Sequence, residues 1–331
     1  MKKCMNHSDD FVDNSLDGIY KAHPGFYEKG NGNTRALIHR SKVPGKVSII
    51  TGGGFGHLPL FLGYVGEGWC DGAAVGNVFT SPSCEAILDT ARSVEHEQGI
   101  LFLFGNYFGD SMNFQMASEI LEMEGIQTAT VKGSDDIASA SREEYKKRRG
   151  IAGIVYAYKI AGAAAAKGSS LEEIRDLAER VIQNTATYGV AFSSCTLPGA
   201  QKPVFEIGDE DMEIGMGIHG EPGVRRQKMM ESHEIAKELC TAIVKDLELK
   251  AGDELSVLVN GLGMTSREEL YILYNDVAKY LEGLGLKTEK VLVGEYAASL
   301  EMAGLSVSIL KLDKTMKELL CAQAYTPLIH F

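Results

Sequence analysis

Short apolar runs alternate with amphipathic segments along most of this chain. The run Ile100 to Phe104 has strand length and no polar interruption, as expected for a strand covered by helices on both faces. Further β-prone runs lie at residues 46–50, 126–131, 189–195, 203–207, 254–259, 290–293 and 306–310. The pattern predicts an α/β fold in which mixed or mostly parallel sheets are flanked by helices.

Helical periodicity predicts the segments between these strands. Residues 232–249 repeat apolar side chains on one face, and residues 154–167 form a small-residue helix suited to close packing. Residues 111–124 and 266–281 also have helical spacing. The predicted N-terminal caps are Ser81 with Pro82 after it, Asp110, Ser169 with Glu172, and Thr265 with Glu268.

The chain length predicts two domains. With 331 residues, of which 44% are apolar and 24% charged, the chain can bury two ordinary cores. The helix predicted to end near Asn184 provides a boundary. We therefore expect an N-terminal α/β domain over residues 1–184 and a C-terminal α/β domain over residues 185–331.

Charge and cysteine usage exclude several classes of function. The formal charge of −12 repels phosphate backbones and anionic lipid, so the chain itself is not expected to bind DNA or a membrane. The six cysteines show no zinc-ligand spacing and no disulfide framework. No signal peptide or long apolar segment is present. A cytoplasmic protein without a cofactor is expected.

A glycine-rich segment follows the strand predicted at residues 46–50. The segment Thr51 to His57 is expected to form a loop at the carboxyl end of that strand, where ligands bind in open α/β sheets. Backbone N–H groups at Gly53 and Gly54 can there bind a ligand oxygen. The segment lacks the lysine of a phosphate-binding loop and has His57 in place of a third glycine. A small polyol therefore suits this loop better than a nucleotide.

A second glycine-rich segment, residues 213–223, contains His219. Four glycines leave the backbone around this histidine bare, and Pro222 prevents a continuing helix, which also argues against a dinucleotide site. From these residues alone, His219 is either a hydrogen-bonded histidine in a tight loop or a side chain open to a ligand.

Several motifs resemble one known family. They keep their order over nearly the whole chain: KAHP at 21–24, TGGGFGHLP at 51–59, FTSP at 79–82, NYFGDSMNF at 106–114, RRGIAG at 148–153, MEIGMGIHGEPG at 212–223 and TPLIHF at 326–331. The sequence is similar to the substrate-binding subunits of phosphotransferase-linked dihydroxyacetone kinases, the DhaK-like family. The resemblance implies dihydroxyacetone as the ligand and a homodimer.

The resemblance also implies roles for three side chains. His219 matches the family histidine that bonds covalently to the carbonyl carbon of dihydroxyacetone as a hemiaminal. His57 is expected to be a second donor that steadies the new hydroxyl. Asp110 matches the carboxylate that takes the proton of the terminal hydroxyl, while a separate ATP-bearing subunit delivers the phosphoryl group.

Four positions depart from the family pattern. The chain has Phe55 and Leu58 within the family's G-G-G-S-G-H-E-P, and Gly105 and Phe108 within K-N-Y-T-G-D. The missing lysine removes a cation of the kind that stabilises phosphoryl transfer. The two phenylalanines are expected to crowd the pocket mouth. This pattern favours the coactivator branch of the family, exemplified by DhaQ, which binds the ketone and acts through a TetR-like DNA-binding regulator.

Other interpretations remain. A catalytically competent kinase subunit that works with the ATP-bearing subunit is the main alternative. A metal-dependent hydrolase using His57, His219 and Glu221 lacks ligand spacing. The basic run 146–149 is expected to be a solvated face or a lid over an acidic neighbour.

We predict that ketone binding weakens as the pH falls below about 6. The nucleophile is a neutral imidazole, and an unperturbed histidine has a pKa near 6.5, so protonation removes the attacking lone pair. Calorimetric titration with dihydroxyacetone on both sides of that pH measures the effect. Equal affinity at both would mean that no titrating imidazole attacks the ketone.

Overall fold

A computed structural model describes residues 2–94, 97–329 and 331. His330 of the terminal motif lies outside the described residues. The helices are α1 Phe11–Ala22, α2 Cys84–Ser93, α3 Phe108–Met123, α4 Ile154–Ala166, α5 Leu171–Gln183, α6 Ser232–Asp246, α7 Arg267–Gly283 and α8 Lys314–Leu320. The strands are β1 Tyr27–Lys29, β2 Ala36–His39, β3 Ser48–Phe55, β4 Gly72–Val78, β5 Ile100–Gly105, β6 Thr128–Gly133, β7 Thr185–Ala191, β8 Asp211–Ile214, β9 Arg225–Lys228, β10 Glu254–Gly261, β11 Lys287–Gly294 and β12 Gly304–Lys311.

The strands form two sheets, which confirms the predicted fold class. The first has the order β1, β2, β4, β3, β5, β6, with β3 parallel to β4 and β5, β5 parallel to β6, and β1 and β2 antiparallel at one edge. The second has the order β11, β10, β12, β7, β8, β9, and only β10 and β11 pair in parallel. Both sheets are therefore mixed.

Helix α4 is buried along almost its whole length. Its small residues allow this, since a Cβ at Gly162 would lie 2.5 Å from the backbone oxygen of Gly68. Helix α5 packs beside it and buries Ile174, Ala178 and Val181 on one face. These two helices cover one face of the first sheet, and α2 and α3 cover the other, which explains why β5 is apolar on both faces.

The end of the chain returns to the first sheet. Lys159 donates from Nζ to the carbonyl oxygen of Leu319, and the ring of Phe331 contacts that of Trp69 with centroids 4.9 Å apart. Residues at and after the end of α8 thus pack with the N-terminal half. The domain boundary at residue 184 stays a prediction.

The basic run 146–149 is a solvated face only at Lys146 and Lys147, which are exposed, whereas its two arginines lie against acidic neighbours. Arg148 is buried and forms a double hydrogen bond with Asp246 at 2.9 and 2.5 Å, and Arg149 bonds Asp136 at 2.8 Å. Guanidinium groups pair with carboxylates in this way when charge is buried. The run therefore joins the loop after β6 to α6.

One predicted strand and part of one predicted loop were also wrong. Residues 203–207 do not pair with another strand. The backbone N–H of Val204 donates to the carbonyl oxygen of Cys195, and that of Phe205 donates to the hydroxyl of Ser194. The expected glycine loop is instead the second half of β3, where Gly53 pairs with Val75. A Cβ at Gly53 would lie 2.3 Å from the ring of Phe61, so glycine permits this close packing.

The predicted helix caps were displaced from the observed ones. The N-caps are Ser83 for α2, Ser170 for α5 and Ser266 for α7. The expected residues have other partners: Ser81 bonds Asp110, the backbone of Ser169 closes α4 on Ala164, and Thr265 bonds Gly304. Asp110 is not a cap either, because α3 begins at Phe108 and places it in the first turn.

Within the described residues, no helix is long and apolar enough to cross a membrane.

We predict that Ser170→Ala lowers the free energy of unfolding by about 1 kcal/mol. The hydroxyl of Ser170 accepts from the backbone N–H of Glu173, and the Glu173 carboxylate accepts from the backbone N–H of Ser170. Denaturant unfolding measures the change. Ser169→Ala is the matched control with no expected effect, and a larger loss there would contradict the assigned cap.

Candidate functional site

His57 lies just beyond the carboxyl end of β3. The backbone around it is fixed by residues 298–300: Ala298 N–H donates to the oxygen of His57 at 3.2 Å, and Leu300 N–H donates to that of Gly56 at 2.7 Å. The ring Nδ1 lies 2.9 Å from the carbonyl oxygen of Ala298. A carbonyl only accepts, so Nδ1 carries the proton and Nε2 presents a lone pair. In this tautomer Nε2 of His57 is able to accept a hydrogen bond from a ligand, and the expected role of His57 as a donor stays a prediction.

His219 lies in the loop between β8 and β9. Ser299 Oγ donates to the carbonyl oxygen of Ile218 at 2.5 Å, so residues 298–300 fix this loop as well. The ring Nδ1 of His219 and its backbone N–H each lie 2.9 Å from a carboxylate oxygen of Glu221. The carboxylate holds the proton on Nδ1 and leaves Nε2 as a nucleophilic lone pair. The side chain of His219 is 22% exposed, which leaves it open to a small ligand.

Asp110 enters the site from the first turn of α3. Its Oδ2 accepts from Ser81 Oγ at 2.8 Å, while its Oδ1 is buried. Because β5 ends directly before this helix, the carboxylate stands at the carboxyl edge of the first sheet.

These three side chains converge across the two sheets. The rings of His57 and His219 have centroids 4.7 Å apart, and Tyr107 lies 4.7 Å from His219 on another side. Phe79 stacks on His57 at 4.9 Å. The structure therefore brings two predicted histidines into contact inside an aromatic enclosure, with Asp110 near enough for His219 to influence its ionisation.

Burial and charge separate the protonation behaviour of these groups. Burial, reinforced by the neighbouring His219, lowers the pKa of His57 to about 3, so this ring is neutral at physiological pH. Burial raises the pKa of Asp110 to about 6 against the hydrogen bond from Ser81. Burial also acts to raise the pKa of Glu221, but hydrogen bonding and charge interaction with His219 outweigh it and lower that pKa to about 2. Glu221 is therefore a carboxylate throughout the working pH range.

Three buried polar atoms in this enclosure have no hydrogen-bond partner among the described residues: His57 Nε2, Asp110 Oδ1 and Tyr107 Oη. Most buried polar atoms in proteins are paired, because leaving one unpaired costs about 1 to 3 kcal/mol. Their convergence beside His219 matches a ligand that carries several hydroxyl groups.

Gly53 and Gly54 lie upstream of this enclosure. Both are within β3, and a Cβ at Gly54 would lie 2.7 Å from the backbone nitrogen of Thr80. Close packing thus accounts for both glycines, and their contact with a ligand stays a prediction.

Sequence reasoning gave four residues around the site no role in ketone binding. Glu221 orients His219, Ser81 bonds Asp110, Ser299 fixes the loop of His219, and Arg149 places Nη1 3.9 Å from Glu221 Oε2. Glu221 and Ser81 belong to the motifs MEIGMGIHGEPG and FTSP, so the motifs themselves indicated that these two side chains lie near the site. Ser299 has no motif that signals it.

The four departures from the family pattern occupy different places. Phe55 packs in the core against Phe11, with ring centroids 6.1 Å apart. The expectation that Phe55 crowds the pocket mouth was therefore wrong. Leu58 also packs against the core. Phe108 is 85% exposed at the start of α3. A Cβ at Gly105 would lie 3.2 Å from the ring of Tyr107. Gly105 thus neighbours Tyr107 of the site, and Phe108 begins the helix that carries Asp110.

The structure does not support a metal-dependent hydrolase. Within the part of the chain that the structure describes, no group of three histidine, cysteine or acidic side chains could hold a metal ion. The Glu221 carboxylate instead accepts a hydrogen bond from Nδ1–H of His219.

Sequence comparison identifies the family. Residues 17–328 match the model of the Dak1 domain. The chain is 44% identical over 313 residues to the PTS-dependent dihydroxyacetone kinase 1, dihydroxyacetone-binding subunit DhaK, of Listeria innocua, with 95% of each chain covered. The chain belongs to the Dak1 family, which confirms the family predicted from the motifs.

Solved structures agree with this family. The dihydroxyacetone kinase operon co-activator Dha-DhaQ superposes with a TM-score of 0.87 at 32% identity, over 94% of this chain and 96% of that one. The native dihydroxyacetone kinase of C. freundii superposes with a TM-score of 0.90 at 29% identity, over 98% of this chain and 59% of that one. The same fold thus occurs in a kinase and in a coactivator.

We predict that Asp110→Asn stabilises the protein at pH 8 by about 2 to 3 kcal/mol. The folded-state pKa of Asp110 is raised to about 6 from 3.8, so ionisation disfavours the folded state and this cost develops as the pH rises through that interval. Asparagine keeps the shape and the acceptor for Ser81 but carries no charge. Denaturant unfolding at pH 8 and at about pH 4 measures the difference, which should nearly vanish at the lower pH. A constant difference would mean that ionisation of Asp110 is not its cause.

Proposed function

We propose that this protein binds dihydroxyacetone covalently through His219 and acts in the cytoplasm as a ligand-sensing coactivator of dihydroxyacetone kinase expression. The observation that carries the proposal is the pairing of His219 with Glu221 beside three unpaired buried polar atoms. A small hydroxylated ketone supplies an electrophile for His219 and hydrogen bonds for the three unpaired atoms. Glycerol has similar polarity but no carbonyl.

The bond-forming step follows from the orientation of His219. Its Nε2 lone pair attacks the carbonyl carbon, the π electrons move to the carbonyl oxygen, and that oxygen takes a proton from solvent. The Glu221 carboxylate stabilises the positive charge that develops on the imidazole during attack through the Nδ1–H bond. Release of the Nδ1 proton to solvent then matches the proton taken up by the oxygen, so the hemiaminal is neutral. No leaving group departs, so the adduct is reversible.

The neighbouring groups complete the binding of the adduct. Neutral His57 accepts at Nε2 from a ligand hydroxyl, and Asp110 Oδ1 accepts from another. Tyr107 offers its phenol to a third oxygen. Each contact satisfies an atom that is otherwise buried without a partner, so binding gains about the free energy that this burial costs.

The absence of a cation near Asp110 supports a sensor over a kinase subunit. Among the described residues, no lysine or arginine forms an ion pair with Asp110, and Gly105 stands where the family pattern has lysine. Arg149, beside the site, is committed to Asp136 and Glu221. Phosphoryl transfer relies on cations that neutralise developing charge.

Exposed apolar side chains beside the site support a protein partner. Phe108, Met112 and Met116 follow one another at four-residue spacing on α3 and are 85%, 50% and 46% exposed. Such a stripe is typical of a protein interaction surface. We propose a TetR-like DNA-binding regulator as the partner, since a charge of −12 leaves DNA contact to another chain. The homodimer implied by the family resemblance suits the two-fold symmetry of DNA operators.

A kinase subunit is the second candidate, and Asp110 favours it. A carboxylate with a pKa of about 6, held by Ser81, is suited to general-base catalysis near neutral pH. The relative from Listeria innocua bears a kinase name. In this scheme the ATP-bearing subunit delivers the phosphoryl group.

We predict that native mass spectrometry with dihydroxyacetone detects a one-to-one adduct that His219→Ala abolishes. Glu221→Gln should weaken the adduct about tenfold, because a charge-assisted hydrogen bond is lost. His233→Ala, an exposed histidine outside the site, is the matched control. A full adduct in His219→Ala would place the nucleophile elsewhere.

Turnover separates the two candidate functions. The protein is incubated with dihydroxyacetone, the ATP-bearing subunit and its phosphate donor, and triose phosphate is measured. Adduct formation without triose phosphate is the result expected of a sensor. Sustained triose phosphate would contradict the coactivator role and assign the kinase role.

A further inference from the structure

A groove of about 370 Å³ lies between the first sheet and the helix α5. Its walls are the edge strand β6, helix α5 and the turn at 145–147. Cavities of this volume accept small metabolites. None of His57, Asp110 or His219 lines the groove, so it is separate from the candidate ketone site.

Two lysines face this groove without a counter-ion. Lys132 of β6 and Lys146 of the turn form no ion pair with any described residue, whereas Lys147 pairs with Glu144 and Arg148 with Asp246. In a chain with a charge of −12, two unpaired cations in one groove form a local positive site. Glu179 is the one carboxylate among the described residues that line it.

Two hydroxyl groups add hydrogen-bond donors. Tyr145 Oη accepts from Gln183 Nε2 at 2.9 Å, which leaves the phenolic proton free to be donated. Ser134 is only 5% exposed, and its hydroxyl has no hydrogen-bond partner among the described residues. Lysine ammonium groups and hydroxyl donors together are the usual ligands of a phosphate group.

We propose that this groove binds a phosphate group of a small metabolite through Lys132, Lys146, Tyr145 and Ser134. A lysine on an edge strand also prevents strand pairing. That role explains Lys132 alone and requires neither the cavity, nor Lys146, nor the Ser134 hydroxyl. The proposal does not depend on the proposed ketone-binding function.

The side chain of Asn106 gives the groove a rigid wall. Its amide donates to the backbone oxygens of Lys146 and Arg148 at 2.9 and 2.8 Å, which fixes the turn against the end of β5. The backbone of Lys146 is therefore held in place by the fold before any ligand binds, which favours a preorganised site.

Calorimetric titration with inorganic phosphate and with glycerol 3-phosphate, at constant ionic strength, tests the proposal. We expect saturable one-site binding that falls at least about tenfold in Lys132→Met/Lys146→Met, since two charge-assisted contacts are lost. Lys147→Met, one residue along and outside the groove, should bind as the unmodified protein does. Glu179→Gln should tighten binding about threefold by removing a like charge.

The outcomes divide clearly. Tighter binding of glycerol 3-phosphate would identify a phosphate ester as the ligand, and equal affinity would identify free phosphate. Absence of saturable binding, or an equal loss in Lys147→Met, would overturn the proposal. Circular dichroism and denaturant unfolding of each variant provide a folding control that does not require ketone binding.

Discussion

The hydrogen bond between His219 Nδ1 and the Glu221 carboxylate is the interaction on which the candidate site depends. It fixes the tautomer of the imidazole, so that Nε2 carries the lone pair and points away from Glu221. The low pKa of Glu221, about 2, keeps this acceptor charged under all working conditions. Without this hydrogen bond, nothing would hold the Nε2 lone pair of His219 in position to attack a ligand.

The rest of the fold serves to bring His219 and its neighbours together. The loop of His219 belongs to the second sheet, whereas His57 and Asp110 follow strands of the first. Residues 298–300 bond both the turn of His57 and the loop of His219, so they set the distance between the two rings. Arg148 and Asp246 join the two halves at a second place. The site is thus an interface between sheets, stabilised by backbone contacts on one side and a buried ion pair on the other.

Much of this fold was predictable because local patterns determine it, whereas partners distant in sequence were not. The apolar run of β5 and the periodicity of α6 predicted their elements correctly. Ser81 and Asp110 were each expected to be caps, since the sequence cannot show that they bond each other across 29 positions. The same limit hid Ser299 and made Arg148 look solvated. The tautomer of His57 depends on a carbonyl 241 positions away.

A crystal structure of the protein with dihydroxyacetone tests the central claim most directly. We expect continuous density between His219 Nε2 and a tetrahedral carbon of the ligand, with ligand oxygens within hydrogen-bond distance of His57 Nε2 and Asp110 Oδ1. A planar, unbonded ketone in this enclosure, or a ligand bound elsewhere, would contradict the role assigned to His219 and Glu221.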